Sequence, residues 1–344
     1  MIDLRSDTVT RPTAAMRRAM AQAEVGDDER DGDPTTQRLD ARVAELLGKE
    51  AALFFPSGVM ANQAAVWIQA PRATEIVVDP RSHMVEGEIA GVAALSGAQI
   101  LPLAPAGEVM TADDVRRALR PESRYNPEPS LVCVENTHNS AGGKITELRE
   151  LREIRRVAAE HGLPVHLDGA RLWNASVATG IALSELAETA DTVMVAFSKG
   201  LGAPIGAALA GTRAAMERAW TARKLFGGAM RQSGIIAAAA LYAIEHHIDR
   251  LADDHENART LARMLDGAGG ARVVAPDTNI VMIDLPGGRT VAPVQRAAVE
   301  HGVLISEWTP TRIRLVTHLD VSAKDAKRAG EVVAKLLEAP AAVA

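Results

Sequence analysis

The chain has 344 residues, which at roughly 150 residues per domain suggests about two domains, or one large lobe with a smaller one. With 47% hydrophobic and 24% charged residues it is neither a disordered nor a fibrous sequence. The formal charge of -6 comes without any Lys/Arg block, so neither nucleic acid nor an anionic membrane is an expected partner.

The opening run Met1-Ile2-Asp3-Leu4-Arg5-Ser6-Asp7 is charged and lacks the apolar centre of a signal peptide. Residues 1–30 read as a polar arm with one helix, Thr13–Ala23, packed on the large domain or on a partner. From 51 to 210 short apolar runs alternate with helical patterns. Strands are predicted at Ala51–Phe54, Glu75–Val78, Gln99–Pro102, Ser130–Val134, Pro164–Leu167, Thr192–Ala196 and Ile205–Ala210. Amphipathic helices are predicted at Val59–Gln69, Thr111–Leu119 and Glu147–His161. That rhythm indicates crossover units, hence an α/β fold with a mostly parallel sheet covered on both faces.

The C-terminal part has a different order. Helices Arg231–Asp249 and Asp253–Asp266 lead into strands Arg272–Ala275 and Asn279–Asp284. A helix Val291–His301, strands Val303–Ile305 and Arg312–Val316, and a last helix Ala323–Leu337 follow. This order fits a small αβ domain with a mostly antiparallel sheet. The boundary falls near 245–255, giving a large domain over 31–248 and a small one over 249–344. The longest apolar run, Ile235 to Ile244, is about half of what a membrane-spanning helix needs. The single cysteine, Cys133, excludes an internal disulfide and a Cys-cluster zinc site. It also fits a reducing, cytoplasmic compartment, and no metal site is expected.

Arginine dominates the basic residues; the seven lysines are Lys49, Lys144, Lys199, Lys224, Lys324, Lys327 and Lys335. Six lie on helical, charged or loop stretches where a solvated amine is the default. Lys199 follows the apolar run Thr192–Phe197 and stands among small residues, Ser198-Lys199-Gly200-Leu201-Gly202-Ala203. Open α/β sheets bind ligands past the carboxyl ends of their strands. Partial burial there lowers a lysine pKa toward its nucleophilic form, although a strand-ending lysine facing solvent has the same pattern. Asp168 closes another apolar strand in Val165-His166-Leu167-Asp168-Gly169-Ala170-Arg171. A desolvated carboxylate needs a partner. The protonated ring nitrogen of pyridoxal phosphate would serve, with Arg171 offering its fork to a substrate carboxylate. An internal Asp168–Arg171 ion pair is the competing explanation. Ser57-Gly58 joins a strand to a helix whose free N–H groups suit a phosphate, or simply caps that helix. His83 follows strand Ile76–Val78, where its ring could stack on a cofactor or be a satisfied structural histidine. Four such features, in the order 58, 83, 168 and 199, each follow a predicted strand.

These motifs resemble the low-specificity L-threonine aldolases, fold type I pyridoxal-phosphate enzymes, over nearly the whole chain. The matching stretches include Asp3-Leu4-Arg5-Ser6-Asp7-Thr8-Val9-Thr10, Val25-Gly26-Asp27-Asp28, Asp33-Pro34-Thr35 and Phe55-Pro56-Ser57-Gly58. Others are Glu135-Asn136-Thr137-His138-Asn139, His166 to Arg171, Ser198 to Leu201, Gly227-Gly228, Met230-Arg231-Gln232 and Ile313 to His318. The resemblance implies that Lys199 binds the cofactor aldehyde, Asp168 partners its ring nitrogen and His83 stacks on the ring. It gives the phosphate to Ser57, Gly58 and Val59, with Arg231 as a further phosphate ligand across a subunit interface. It gives the substrate carboxylate to Ser6, Arg171 and Arg314. It also implies retro-aldol cleavage of β-hydroxy-α-amino acids to glycine and an aldehyde, in a homodimer or homotetramer with shared active sites.

The sequence departs from that pattern on the aldehyde side. Val59 replaces a threonine, Glu29-Arg30-Asp31-Gly32 lacks a tyrosine, and Met84-Val85-Glu86-Gly87 lacks the aromatics found after His83. Tyr125, followed by Asn126, stands where the family has a histidine tied to the substrate hydroxyl. A related β-eliminating, racemising or transaminating enzyme is the alternative within the same cofactor class. A non-catalytic binding module is the alternative outside it, and intact Lys199 and Asp168 argue against that.

Overall fold

The computed structural model describes residues 1–103, 105–121 and 123–339; positions 340–344 of the expected small domain lie outside the described residues. The chain opens with strand β1 (Ile2–Asp3) and helix α1 (Ala14–Ala21), capped by the Thr13 hydroxyl, which accepts the Met16 N–H. Helix α2 (Pro34–Leu47) follows. Asp33 accepts the Thr36 N–H, Pro34 fills the first turn, and Gly48 ends the helix at φ +61°.

Next come β2 (Ala51–Phe55), α3 (Gly58–Gln69), β3 (Glu75–Val78), the single turn α4 (His83–Glu86), β4 (Gln99–Pro102) and α5 (Ala112–Ala118). The large body continues with β5 (Pro129–Glu135), α6 (Leu148–Glu160), β6 (Val165–Gly169), α7 (Leu172–Thr179), α8 (Leu183–Ala187) and β7 (Thr192–Ala196). It closes with β8 (Ala207–Gly211), α9 (Arg213–Leu225) and α10 (Gly234–His246). Among the described residues, seven strands form one sheet in the order β2-β8-β7-β6-β5-β3-β4. Only β8 runs against the others. Strands β6, β7 and β8 are buried at every residue, as a sheet covered on both faces requires.

Among the boundaries that differ from the sequence expectation, two have a clear local cause. Strand β8 starts at Ala207 rather than 205, because Gly206 has φ +116° and a Cβ there would sit 2.5 Å from the Phe54 ring. Helix α10 starts at Gly234 rather than 231, because the Arg231 carbonyl is used outside the helix, accepting the Asp28 N–H at 3.0 Å.

The remaining elements are α11 (Leu251–Leu265), β9 (Arg272–Val274), β10 (Ile280–Asp284), α12 (Val291–Glu300), β11 (Val303–Leu304), β12 (Ser306–Thr309), β13 (Arg312–Val316) and α13 (Ala323–Glu338). Strands β12-β13-β10-β9 form an antiparallel sheet, and α11, α12 and α13 pack on it around Leu261, Ile283, Val291, Leu315 and Val333. The N-terminal arm divides between the two bodies. Strand β1 lies parallel to β11, and Leu4 is buried in the C-terminal core. Helix α1 lies on α10, with Met16 in the main core.

Strand β2 and the parallel strands β3, β5, β6 and β7 all point the same way. The turns after them therefore converge on one edge, where open sheets of this class bind ligands.

Candidate active site

Lys199 lies three residues past β7, and its amine has no hydrogen-bond or ion-pair partner among the described residues. Burial pulls that amine down to about 8, helped by the Arg171 charge; Asp7, Asp168 and Glu135 pull in the opposite direction.

Asp168 is the penultimate residue of β6 and only 5% exposed. Its Oδ2 accepts from Asn62 Nδ2 at 2.8 Å and its Oδ1 from the Ala170 N–H at 3.1 Å. No cation among the described residues pairs with it. The Asp168–Arg171 ion pair weighed from the sequence does not form. Arg171 is bound instead by Asp7, through Nε at 2.7 Å and Nη2 at 2.8 Å. Asp7 is fully buried, and Asn279 adds a 3.2 Å hydrogen bond. Burial would raise its carboxyl, but the Arg171 guanidinium and Lys199 outweigh that and hold it well below the usual carboxylate range.

His83 begins α4. Its Nδ1 lies 2.9 Å from Glu88 Oε1, and its backbone N–H donates to Glu135 Oε2 at 2.7 Å. The hydrogen bond to Glu88 raises the imidazole pKa above its ordinary value; burial opposes this, while the Asp168 and Glu88 charges add to it. The pair Arg171 and Arg314 forms a second cluster. Both guanidinium groups donate to Asn139 Oδ1, at 3.3 and 3.1 Å. Arg314 lies over the Trp308 ring at 4.6 Å and donates to the Arg5 carbonyl at 3.2 Å. It has no carboxylate partner among the described residues, and burial together with the Arg171 charge lowers its pKa to about 10. Two guanidinium groups that share the neutral Asn139 amide oxygen, with Asp7 pairing Arg171 alone, leave a net positive charge that suits an anionic ligand. Ser6 precedes Asp7 beside this clamp, with its hydroxyl accepting the Thr8 N–H at 3.2 Å.

At the start of α3, Ser57 accepts the Met60 N–H at 3.2 Å. The Gly58 and Val59 N–H groups stay free of helical partners and form a place for an anion. Lys199, Asp168, His83, Arg171, Arg314, Ser6 and the Ser57–Val59 turn thus share one edge.

Two expected residues do not join them in this chain. Arg231 is half-exposed and pairs with Glu29 at 2.8 Å and Asp27 at 3.3 Å. Tyr125 is 86% exposed and precedes β5, at the opposite, amino end of the parallel strands. Conversely, sequence reasoning passed over Asp7, Asn62, Glu88, Glu135 and Asn139. Their signal is a polar side chain within or beside a quoted motif, but only the folded chain shows that each is held by another site residue.

Residues 3–286 match the beta-eliminating lyase family. The chain is 42% identical to the low specificity L-threonine aldolase of Escherichia coli K12, across 94% of this chain and 95% of that one. It is 39% identical to low-specificity L-threonine aldolase 1 of Arabidopsis thaliana, across 94% and 93%. A solved structure of a putative L-allo-threonine aldolase from Listeria monocytogenes superposes with a TM-score of 0.82 at 26% identity, covering 98% of this chain and 95% of that chain. With its site at the carboxyl ends of a mostly parallel sheet, and with these relatives, the chain belongs to the low-specificity L-threonine aldolases of the beta-eliminating lyase family.

Proposed function

We propose that this chain is a pyridoxal-phosphate-dependent aldehyde-lyase that cleaves L-threonine, L-allo-threonine or related β-hydroxy-α-amino acids to glycine and an aldehyde. One observation carries the reading. A buried carboxylate, Asp168, and a deprotonation-prone amine, Lys199, neither with an ion-pair partner among the described residues, stand at neighbouring strand ends beside an arginine pair. The donor set fits the cofactor. Lys199 would hold its aldehyde carbon, Asp168 its ring nitrogen, and the Gly58 and Val59 amides with Ser57 its phosphate. Once bound, pyridoxal phosphate supplies an electron sink for the pair released when a bond to Cα breaks.

The chain's own residues do the rest. Arg171, Arg314 and Ser6 hold the substrate carboxylate, which fixes the bond to Cβ for cleavage. The Nε2 edge of His83 has no hydrogen-bond partner among the described residues and is placed to move the β-hydroxyl proton as that hydroxyl becomes the aldehyde oxygen. The Asp168 carboxylate, held by Asn62 and the Ala170 N–H, would face the ring nitrogen and hold a proton there. A homodimer or homotetramer is the proposed assembly. The exposure of Val59 at the phosphate turn, and of Leu225 and Ile235 at 65% and 49%, supports it, as does Arg231 turned outward at the α9–α10 junction. A cytoplasmic setting is proposed from the lone buried thiol of Cys133. Among the described residues no helix is long and apolar enough to cross a membrane.

The deciding experiment incubates cofactor-supplied protein with L-threonine, L-allo-threonine and phenylserine and measures aldehyde and glycine together. Release of both in equal amounts is the expected result. Keto acid or ammonia without glycine would reassign the chain to elimination or transamination. A second expectation concerns cofactor capture. Lys199 reacts as the free amine, and its pKa lies near 8 rather than 10.5. The capture rate of pyridoxal phosphate by cofactor-free protein should therefore rise with pH and level off above about 8. Stopped-flow absorbance will follow it; a rate still climbing steeply at pH 10 would show an unperturbed lysine.

A further inference from the structure

Glu88 sits just past α4 and is 4% exposed, yet the proposed reaction gives it no role. Its Oε1 lies 2.9 Å from both His83 Nδ1 and Asn62 Nδ2, and its Oε2 accepts from Gln63 Nε2 at 2.6 Å. The same Asn62 Nδ2 donates to Asp168 Oδ2 at 2.8 Å. One amide nitrogen therefore spans the carboxylates that face the imidazole and the ring nitrogen. We propose that Glu88 and Asn62 form a positioning bridge that locks the His83 imidazole to the Asp168 carboxylate, committing His83 Nδ1–H to Glu88 and leaving Nε2 for the substrate. The substrate half of this statement rests on the function proposed above; the bridge does not.

The amide orientation is set by the two carboxylates in front of it: a nitrogen within 2.9 Å of both Glu88 and Asp168 donates to both, which turns Oδ1 away from them. That oxygen accepts from His166 Nε2–H at 3.1 Å, and Nδ1 of the same ring, 2.9 Å from the Thr192 hydroxyl, is left to accept its hydrogen. Burial keeps that imidazole neutral, with a pKa of about 4.

Two backbone features agree. Ile89 and Ala90 follow Glu88 at φ +51° and +55°, a left-handed conformation that is costly for a β-branched residue. Ile89 is 94% exposed, so its own packing does not hold it there. The three hydrogen bonds on Glu88 anchor the turn instead. Gly87 keeps the other edge of His83 open, since a Cβ there would lie 2.8 Å from Nε2.

The charged groups facing His83 are Glu88 on its own segment, Asp168 at the end of β6 and Lys199 after β7, while Glu135 at the end of β5 binds its backbone. With Glu88 Oε1 on Nδ1, neutral His83 keeps its proton there and a lone pair on Nε2, and the same hydrogen bond favours the imidazolium formed when Nε2 takes the hydroxyl proton.

The test uses the full-length, cofactor-loaded protein. Diethyl pyrocarbonate acylates neutral imidazole, so the rate at which the His83 peptide is modified, followed by mass spectrometry across pH, gives the His83 midpoint without any turnover. In Glu88→Gln that midpoint should fall by about one pH unit, and kcat should drop roughly 10- to 100-fold with KM little changed. Glu88→Asp keeps the charge but shortens its reach; its midpoint should lie between the two, and it serves as the second variant if glutamine prevents folding. A midpoint unmoved from wild type in either variant overturns the bridge, even with normal aldehyde release. A shifted midpoint in the variants, alongside wild-type protein that itself releases no aldehyde, supports the bridge and instead sinks the proposed reaction.

Discussion

Lys199→Ala is expected to lower aldehyde release by roughly 10^4-fold or more, because no other amine can take its place. Lys49 donates to the Ala190 carbonyl at 2.7 Å, Lys144 pairs with Asp277 at 3.0 Å, and Lys224 pairs with Glu29. The variant should also stop retaining a borohydride-fixed pyridoxyl group at position 199. Its thermal unfolding temperature should match or exceed that of wild type, since the substitution removes a buried amine that has no partner. Turnover within about tenfold of wild type would remove Lys199 from the reaction and, with it, the proposed function.

Asp7→Ala carries the largest expected cost in stability. It strips from Arg171, itself 4% exposed, the one carboxylate that pairs with it among the described residues, and leaves a buried guanidinium without that counter-charge. Breaking one side of a buried pair costs about 3–5 kcal/mol. Denaturant unfolding will read that loss. Asp7→Asn, which preserves shape, should show a smaller loss together with a raised KM for the amino acid, as Arg171 drifts from its orientation. The pH dependence has a defined sign. The folded Asp7 carboxyl titrates below the unfolded one. Its stabilisation is complete above the ordinary value of about 3.9 and fades as pH falls toward the depressed folded value. Wild type should therefore lose stability over that acid interval, and Asp7→Asn should lack this component. Equal acid slopes in the two proteins would contradict the pairing.

The large sheet was legible because its strands are buried on both faces, so Ile76–Val78 and Val193–Ala196 stand out as unbroken apolar runs between helical patterns. Helix α2 was not foreseen, although Asp33-Pro34 and Gly48 mark its two ends. Its polar first turns hide the periodicity on which the reading relied. Gly58, His83, Asp168 and Lys199 could be placed at one sheet edge because each closes or follows a strand, where position along the chain predicts position in space. Asp7, Asn62, Glu88 and Asn139 were missed for the converse reason. Their partners are remote in sequence, at Arg171, Asp168, His83 and Arg314, and no local pattern records a hydrogen bond across the fold. Tyr125 shows the limit of carrying roles over by position, since in a single chain it lies at the wrong end of the sheet.

The arrangement of β1 sets an order of events during synthesis. Ile2 and Asp3 find their places beside Val303 and Leu304, and Asp7 is held by Asn279, whose own amide also reaches the Thr317 carbonyl. On the ribosome the earliest of these segments emerges about 300 residues ahead of its neighbours, which at the usual elongation rate is a delay of roughly 15 to 60 seconds. The nascent large sheet can close during that wait, but the arginine clamp cannot. Catalytic competence is thus a post-translational milestone, reached only when the two distant stretches of polypeptide meet.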